Sequence, residues 1–286
     1  RFRMFSRARV LVDKSLQIIC LRKVEKELKD VVLLPSLSEN YYHFLFETFG
    51  TYLLIPEQER RGKLVVFGGA RNGVCRFHRQ IFGYAGQPNI FSFYQSDGQI
   101  LVTDSIWSNN PSWQTLPRPS VARKLIQTLQ PNGEASLREA QKQVFFYRRG
   151  QRKYPAKIFC KIEQICRNRN IDLIEPSQFS VQEQIELMSK TRLLIVESGA
   201  AVANALFMPP DSVLIVLITK FGMKDCFVTI PYVKNIKLIY VTSDVLDIFF
   251  NPIHTWTEPL PDLDIQGLER AIDVAVKWLD RRMESY

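Results

Sequence analysis

The residues best suited to chemistry fall into three short segments. In Asn40-Tyr41-Tyr42-His43-Phe44-Leu45-Phe46-Glu47, His43 and Glu47 stand four residues apart. On a helix they share one face. An imidazole takes a proton near neutral pH, and a carboxylate beside it can orient the ring or compete for the base role. Such a pair also occurs as an ordinary surface contact near a helix end, worth a few tenths of a kcal/mol.

The second segment, Val144-Phe145-Phe146-Tyr147-Arg148-Arg149-Gly150-Gln151-Arg152-Lys153, delivers a burst of arginines at the end of a short apolar run. A guanidinium matches phosphate oxygens with a planar fork of donors, and a strand end fixes where it points. The bland reading is a solvated basic loop.

The third is Arg192 to Met208, RLLIVESGAAVANALFM. Leu193 to Val196 read as a buried strand, ended by Glu197 and Ser198. Gly199, Ala200, Ala201 and Ala203 then open a helix, with Asn204 one turn in. Unpaired N–H groups and the positive dipole end suit an anion. Small side chains let a phosphate or sugar approach the backbone. Helix packing alone can also demand a turn of Ala and Gly. Upstream, Ser180 and Glu183 form a capping box at the start of another helix.

These segments need strands and helices to hold them. Strands are predicted at 31–34, 64–67, 90–93 and 100–102, with a helix over 41–55. A Pro- and Ser-rich stretch between Trp107 and Val121 reads as a linker, after which Ser120 caps a helix that stops at Pro131-Asn132-Gly133. The second half restarts with a strand at 144–147, a helix at 156–169, a strand at 171–174 and a helix at 181–189. Strands at 193–196, 213–217 and 236–241 follow, with a last helix at 266–279. Continuous apolar strands between amphipathic helices indicate parallel sheets covered on both faces. The fold class is therefore α/β, with two doubly wound domains, 1–135 and 136–286, and a cleft between them. The last helix is expected to pack back on the first domain.

At 286 residues and 46% hydrophobic, the chain is long enough for two globular domains. It carries no run of about 18 apolar residues of the kind that spans a membrane. The formal charge of +9 suits phosphate-bearing partners or an anionic surface. No nucleic-acid-reading motif accompanies that charge. Five scattered cysteines give no CxxC pair and no disulfide framework. The three histidines, His43, His78 and His254, are too dispersed for a zinc cluster.

Taken in order, NYYHFLFE (40–47), FFYRRGQR (145–152) and the segment 175–217 resemble glycosyltransferase family 61. That family shares an Asn-Tyr-x-His helix start, a strand ending in Arg-Arg, a Pro…Ser…Glu-Gln segment, and a Gly-Ala turn ending in Asn before Leu-Phe-Met-Pro-Pro. The resemblance implies a GT-B architecture of two Rossmann-like domains. It implies inverting, metal-independent hexosyl or pentosyl transfer from a nucleotide sugar to a saccharide or glycolipid, without cofactor. It points to His43 and Glu47 as catalytic, and to Arg148, Arg149, Arg152, Glu183, Ser198, Gly199, Ala200 and Asn204 as donor-binding. The expected setting is capsular or cell-surface polysaccharide synthesis in the cytoplasm, with contact at the inner face of the membrane. Family members usually carry His before the Gly-Ala turn, where this chain has Ser198. That departure leaves a catalytically inactive nucleotide- or sugar-binding homologue as the alternative.

Overall fold

The computed structural model describes residues 5–6, 24–34, 38–68, 73–87, 89–93, 99–107, 117–148, 154–218, 227–242 and 263–284. The chain divides into two units, Arg1–Pro117 and Arg118–Tyr286. Each is built on a five-stranded sheet in which every pair is parallel.

In the first unit the strands are β1 (Phe5–Ser6), β2 (Val24–Leu34), β3 (Leu64–Gly68), β4 (Ile90–Phe93) and β5 (Gln99–Trp107), in the order β1-β5-β2-β3-β4. Val31 and Val32 of β2 pair with Leu64 and Val65 of β3, and all but Leu64 are buried. Continuous β-branched runs of this kind are what a sheet covered on both faces requires. β2 and β5 are longer than the expected 31–34 and 100–102. The extra part of β2, VEKELKD, is charged at five of its seven positions and does not read as a buried strand.

After β2 the chain enters a continuous helical run: α-helical Tyr41–His43, π-helical Phe44–Phe49 and α-helical Gly50–Leu54. The expected helix over 41–55 is there, but its centre is wound one residue wider. Phe44, Leu45, Phe46 and Phe49 are all buried. The Phe82 ring, from helix Arg76–Tyr84, packs edge-on to Phe44, Phe49, Tyr52 and Phe67. Edge-to-face contacts each add roughly 0.5–1.5 kcal/mol beyond burial, so these aromatics clamp the helical run onto its unit.

The second unit contains β6 (Lys142–Phe146), β7 (Asp172–Ile174), β8 (Thr191–Glu197), β9 (Val213–Ile218) and β10 (Lys237–Thr242), in the order β10-β9-β8-β6-β7. All six side chains of β9, VLIVLI, are buried. Helices Ala156–Asn168 and Val181–Ser189 follow β6 and β7. The last helix, Ile265–Glu284, packs Leu268, Ile272, Ala275 and Leu279 into the core shared by β8 and β9.

Two local expectations are corrected. Helix Pro119–Leu129 has Arg118 rather than Ser120 as its N-cap, with Pro119 supplying the pre-set first turn. This helix also belongs to the second unit, ahead of the 135/136 division read from the sequence. It packs against residues 200–207, where Gln130 Nε2 donates to the Phe207 carbonyl at 3.0 Å. Residues Ala200–Phe207 form a 3₁₀ helix rather than an α-helix. Side chains three apart eclipse in that winding, and a run of alanines tolerates it.

Candidate functional site

In the second sheet the chain steps from β6 outward to β7, then returns past β6 to β8. The order reverses between β6 and β8, and open α/β sheets bind ligands outside the carboxyl ends of the strands at such a point. The residues there are Arg148, just past β6, and Glu197, Ser198 and Gly199 at the end of β8.

Gly199 has φ +156° and ψ −161°, a conformation that side chains rarely adopt. The Arg148 guanidinium lies against it, so that a Cβ on Gly199 would collide with Arg148 Nη2 and stand 3.3 Å from Cζ. The glycine therefore serves two purposes: it makes the turn, and it makes room for the guanidinium. Glu197 is buried at 4% exposure. The Ser198 amide donates to the Leu217 carbonyl at 2.9 Å, which ties the turn to β9. Ala200 is half-buried. Asn204 is buried; its Nδ2 donates to the Ala201 carbonyl at 3.3 Å, while its Oδ1 has no partner among the described residues.

Glu183 is exposed and forms the expected capping box. Its Oε2 accepts from the Ser180 amide at 2.7 Å, and the Ser180 hydroxyl accepts from the Glu183 amide at 3.2 Å. That bonding accounts for its carboxylate at the helix start. Arg149 and Arg152 lie outside the described residues, as does His254.

Tyr154 carries no sequence signal for function. It precedes Pro155, the N-cap of helix Ala156–Asn168, and its ring joins the core that includes Phe145, Ile158 and Leu217. Burial pushes its phenol well above the usual tyrosine range. The Glu197 carboxylate pushes in the same direction, and the Arg148 guanidinium opposes both. Tyr154 therefore stands within electrostatic reach of both switch-point side chains. The one sequence signal for it is Pro155, which fixes the helix start after β6 and so places Tyr154 at that end of the sheet.

The first unit carries the second cluster. The Asn40 side chain caps the helical run, accepting from the Tyr42 and His43 amides at 3.0 and 3.3 Å. His43 Nδ1 stands 2.6 Å from Glu47 Oε1. An ionised carboxylate only accepts, so Nδ1 donates, and in the neutral ring Nε2 keeps its lone pair. The side chains are 51% and 21% exposed respectively, so the ring reaches solvent while the carboxylate is partly sheltered. The Thr51 hydroxyl donates to the Glu47 carbonyl within the same run.

His78 fixes the entry to that run. Its Nδ1 accepts from the Cys75 amide at 3.0 Å and its Nε2 donates to the Ser38 carbonyl at 2.9 Å. The Ser38 hydroxyl in turn accepts from the Asn40 amide at 3.2 Å. Burial lowers the His78 imidazole to about 4, although the Ser38 carbonyl and Glu39 favour its charged form. It is a satisfied core histidine. Among the described residues no group of three or more His, Cys, Asp or Glu is placed to hold a metal ion. Among them, too, no helix is long and apolar enough to cross a membrane.

Compared with known families, the chain matches Glycosyltransferase 61 over residues 41–215. The chain belongs to glycosyltransferase family 61. The match runs from the residue after the Asn40 cap to the middle of β9, so it covers both clusters and more than half of the chain. A comparison with curated proteins finds no match. Membership makes this family 61 chain a glycosyltransferase, and such an enzyme takes a sugar donor and an acceptor.

Proposed function

We propose that this glycosyltransferase moves a hexosyl or pentosyl group from a nucleotide sugar to a saccharide or glycolipid, with inversion and without a metal. The observation that carries this reading is the Arg148 guanidinium seated on Gly199 at the switch point of a parallel sheet, in a chain of this family. The donor diphosphate sits there, beside Ser198, Ala200 and Asn204.

The chemistry follows from what each cluster offers. The acceptor hydroxyl gives its proton to His43 Nε2, and its oxygen bonds to the anomeric carbon. The bond from that carbon to the diphosphate oxygen breaks, and the nucleoside diphosphate leaves with the electron pair. Attack opposite the leaving group inverts the anomeric centre. Glu47 holds the ring by Nδ1 and stabilises the imidazolium that forms. Arg148 and nearby backbone amides offset the charge on the leaving diphosphate. We assign the acceptor to the first Rossmann-like unit and the donor to the second, the division of labour of a GT-B enzyme. Capsular or cell-surface polysaccharide synthesis on the cytoplasmic side suits such a reaction.

Thermal shift against nucleoside diphosphates and nucleotide sugars tests the reading, because a ligand that binds only the folded state raises Tm. Absence of any saturable shift would overturn it. Ser198, where the family usually has His, favours one second reading: a homologue that binds donor and does not transfer. Donor binding with no sugar transfer to any saccharide or glycolipid acceptor would select it.

A further inference from the structure

We infer that the Tyr154 hydroxyl and the open N-terminus of helix Ala156–Asn168 form a seat for the donor's diphosphate, so that Tyr154 is a specificity-determining residue of the donor site. The inference rests on the donor reading above and adds a residue and a role to it.

Three observations converge. First, the Tyr154 hydroxyl is buried with no hydrogen-bond partner among the described residues, and the residue as a whole is 3% exposed. An orphaned buried hydroxyl costs stability, and one that awaits a ligand oxygen has a reason to persist. Second, the helix beginning at Ala156 has no side-chain cap and no acidic residue in its first turn. The Pro155 carbonyl accepts from the Ile158 and Phe159 amides, both at 2.9 Å, whereas the Ala156 and Lys157 amides have no partner among the described residues. Over thirteen residues this helix presents orphan donors and a positive dipole end at the start of its first turn. Third, Tyr154 feels Arg148 and Glu197, the two charged groups at the ends of β6 and β8.

The chemistry selects the ligand. Burial keeps the phenol protonated, so it is a neutral donor. With two amides and the Arg148 guanidinium it makes a set of donors that outnumbers the nearby Glu197 carboxylate, and an anion with several oxygens satisfies that set where a neutral sugar does not. A diphosphate supplies those oxygens.

Tyr154→Phe tests this, since it keeps the ring and removes only the oxygen. The probes are UDP, GDP and inorganic pyrophosphate, titrated calorimetrically into parent and variant, with Tm measured on the same preparations. The expected result is a parent that binds at least one nucleoside diphosphate and a variant that binds it, and pyrophosphate, roughly tenfold or more weakly. The unliganded variant should melt at or above the parental temperature, because an unsatisfied hydroxyl has gone. Equal affinity in the two proteins overturns the role of Tyr154 and leaves the donor reading standing. A fall in Tm of several degrees also overturns it, since the hydroxyl would then have a structural partner. A parent that binds none of the probes overturns both.

Discussion

The Arg148 guanidinium lies against the Cα of Gly199 where a side chain would otherwise be, joining the ends of β6 and β8. Gly199→Ala should therefore act twice. Backbone strain at φ +156° should cost roughly 1–3 kcal/mol of stability, and the displaced guanidinium should weaken nucleotide binding. Gly133 separates the two effects, having φ +87° and open space where a side chain would stand. Gly133→Ala should lose stability and keep its nucleotide affinity. Equal binding losses in both variants would mean that Arg148 gains nothing from the glycine.

Arg148→Ala should lower nucleoside diphosphate affinity by about 2 kcal/mol, as expected when a charge-assisted bond is removed. Arg148 is only half-buried, so Tm should move little. Calorimetric titration checks this, and unchanged affinity in a folded variant would move the donor elsewhere.

Ala200→Leu addresses the turn by bulk. Ala200 is half-buried at the first position of the 3₁₀ helix. A leucine there should block the donor while leaving most of the fold intact. Parental nucleotide binding by this variant would make the turn purely structural.

The sheets were legible because their strands are continuous apolar runs. VVLL, LLIV and VLIVL can hardly be anything but buried parallel strands. The capping box at Ser180 and Glu183 was legible because it is a local pattern with one geometry. The π-helical turn at 44–49 and the 3₁₀ winding at 200–207 were not. Both follow from packing on nearly every side of the segment, which periodicity does not encode. Helix Pro119–Leu129 joined the second unit for a reason equally remote in sequence, its contact with residues 200–207. Tyr154 and Glu197 stayed hidden because a single polar residue beside a strand or helix end has no pattern. Only the strand order brings them to the same edge of the sheet as Arg148.

His78 gives the first unit a pH dependence with a definite sign. Its folded value, about 4, lies below the ordinary 6.5. Between those values the unfolded chain binds the extra proton, so stability rises with pH. The contribution is complete above pH 6.5, and is lost as pH falls from 6.5 through 4. A drop from 6.5 to about 4 corresponds to roughly 3 kcal/mol. Urea unfolding of the first unit between pH 4 and 7 should show it. His78→Gln should flatten the slope in that window by this amount, and an equal slope in both proteins would show that His78 titrates normally.

The last prediction concerns His43 and Glu47. Their 2.6 Å contact leaves Nε2 as the basic nitrogen of a half-exposed ring. His43→Ala should keep donor binding and lose transfer by about 10²-fold or more, the range for a missing general acid or base. Glu47→Gln retains an acceptor for Nδ1–H but removes the charge that steadies the imidazolium. It should lower turnover by a smaller factor, on the order of tenfold. The pair as a mere surface contact predicts something different. Both variants would then change stability by less than about 1 kcal/mol and leave turnover alone. Melting temperature, donor titration and turnover on the same preparations separate these outcomes. A folded, donor-binding His43→Ala that transfers sugar at the parental rate removes His43 from catalysis.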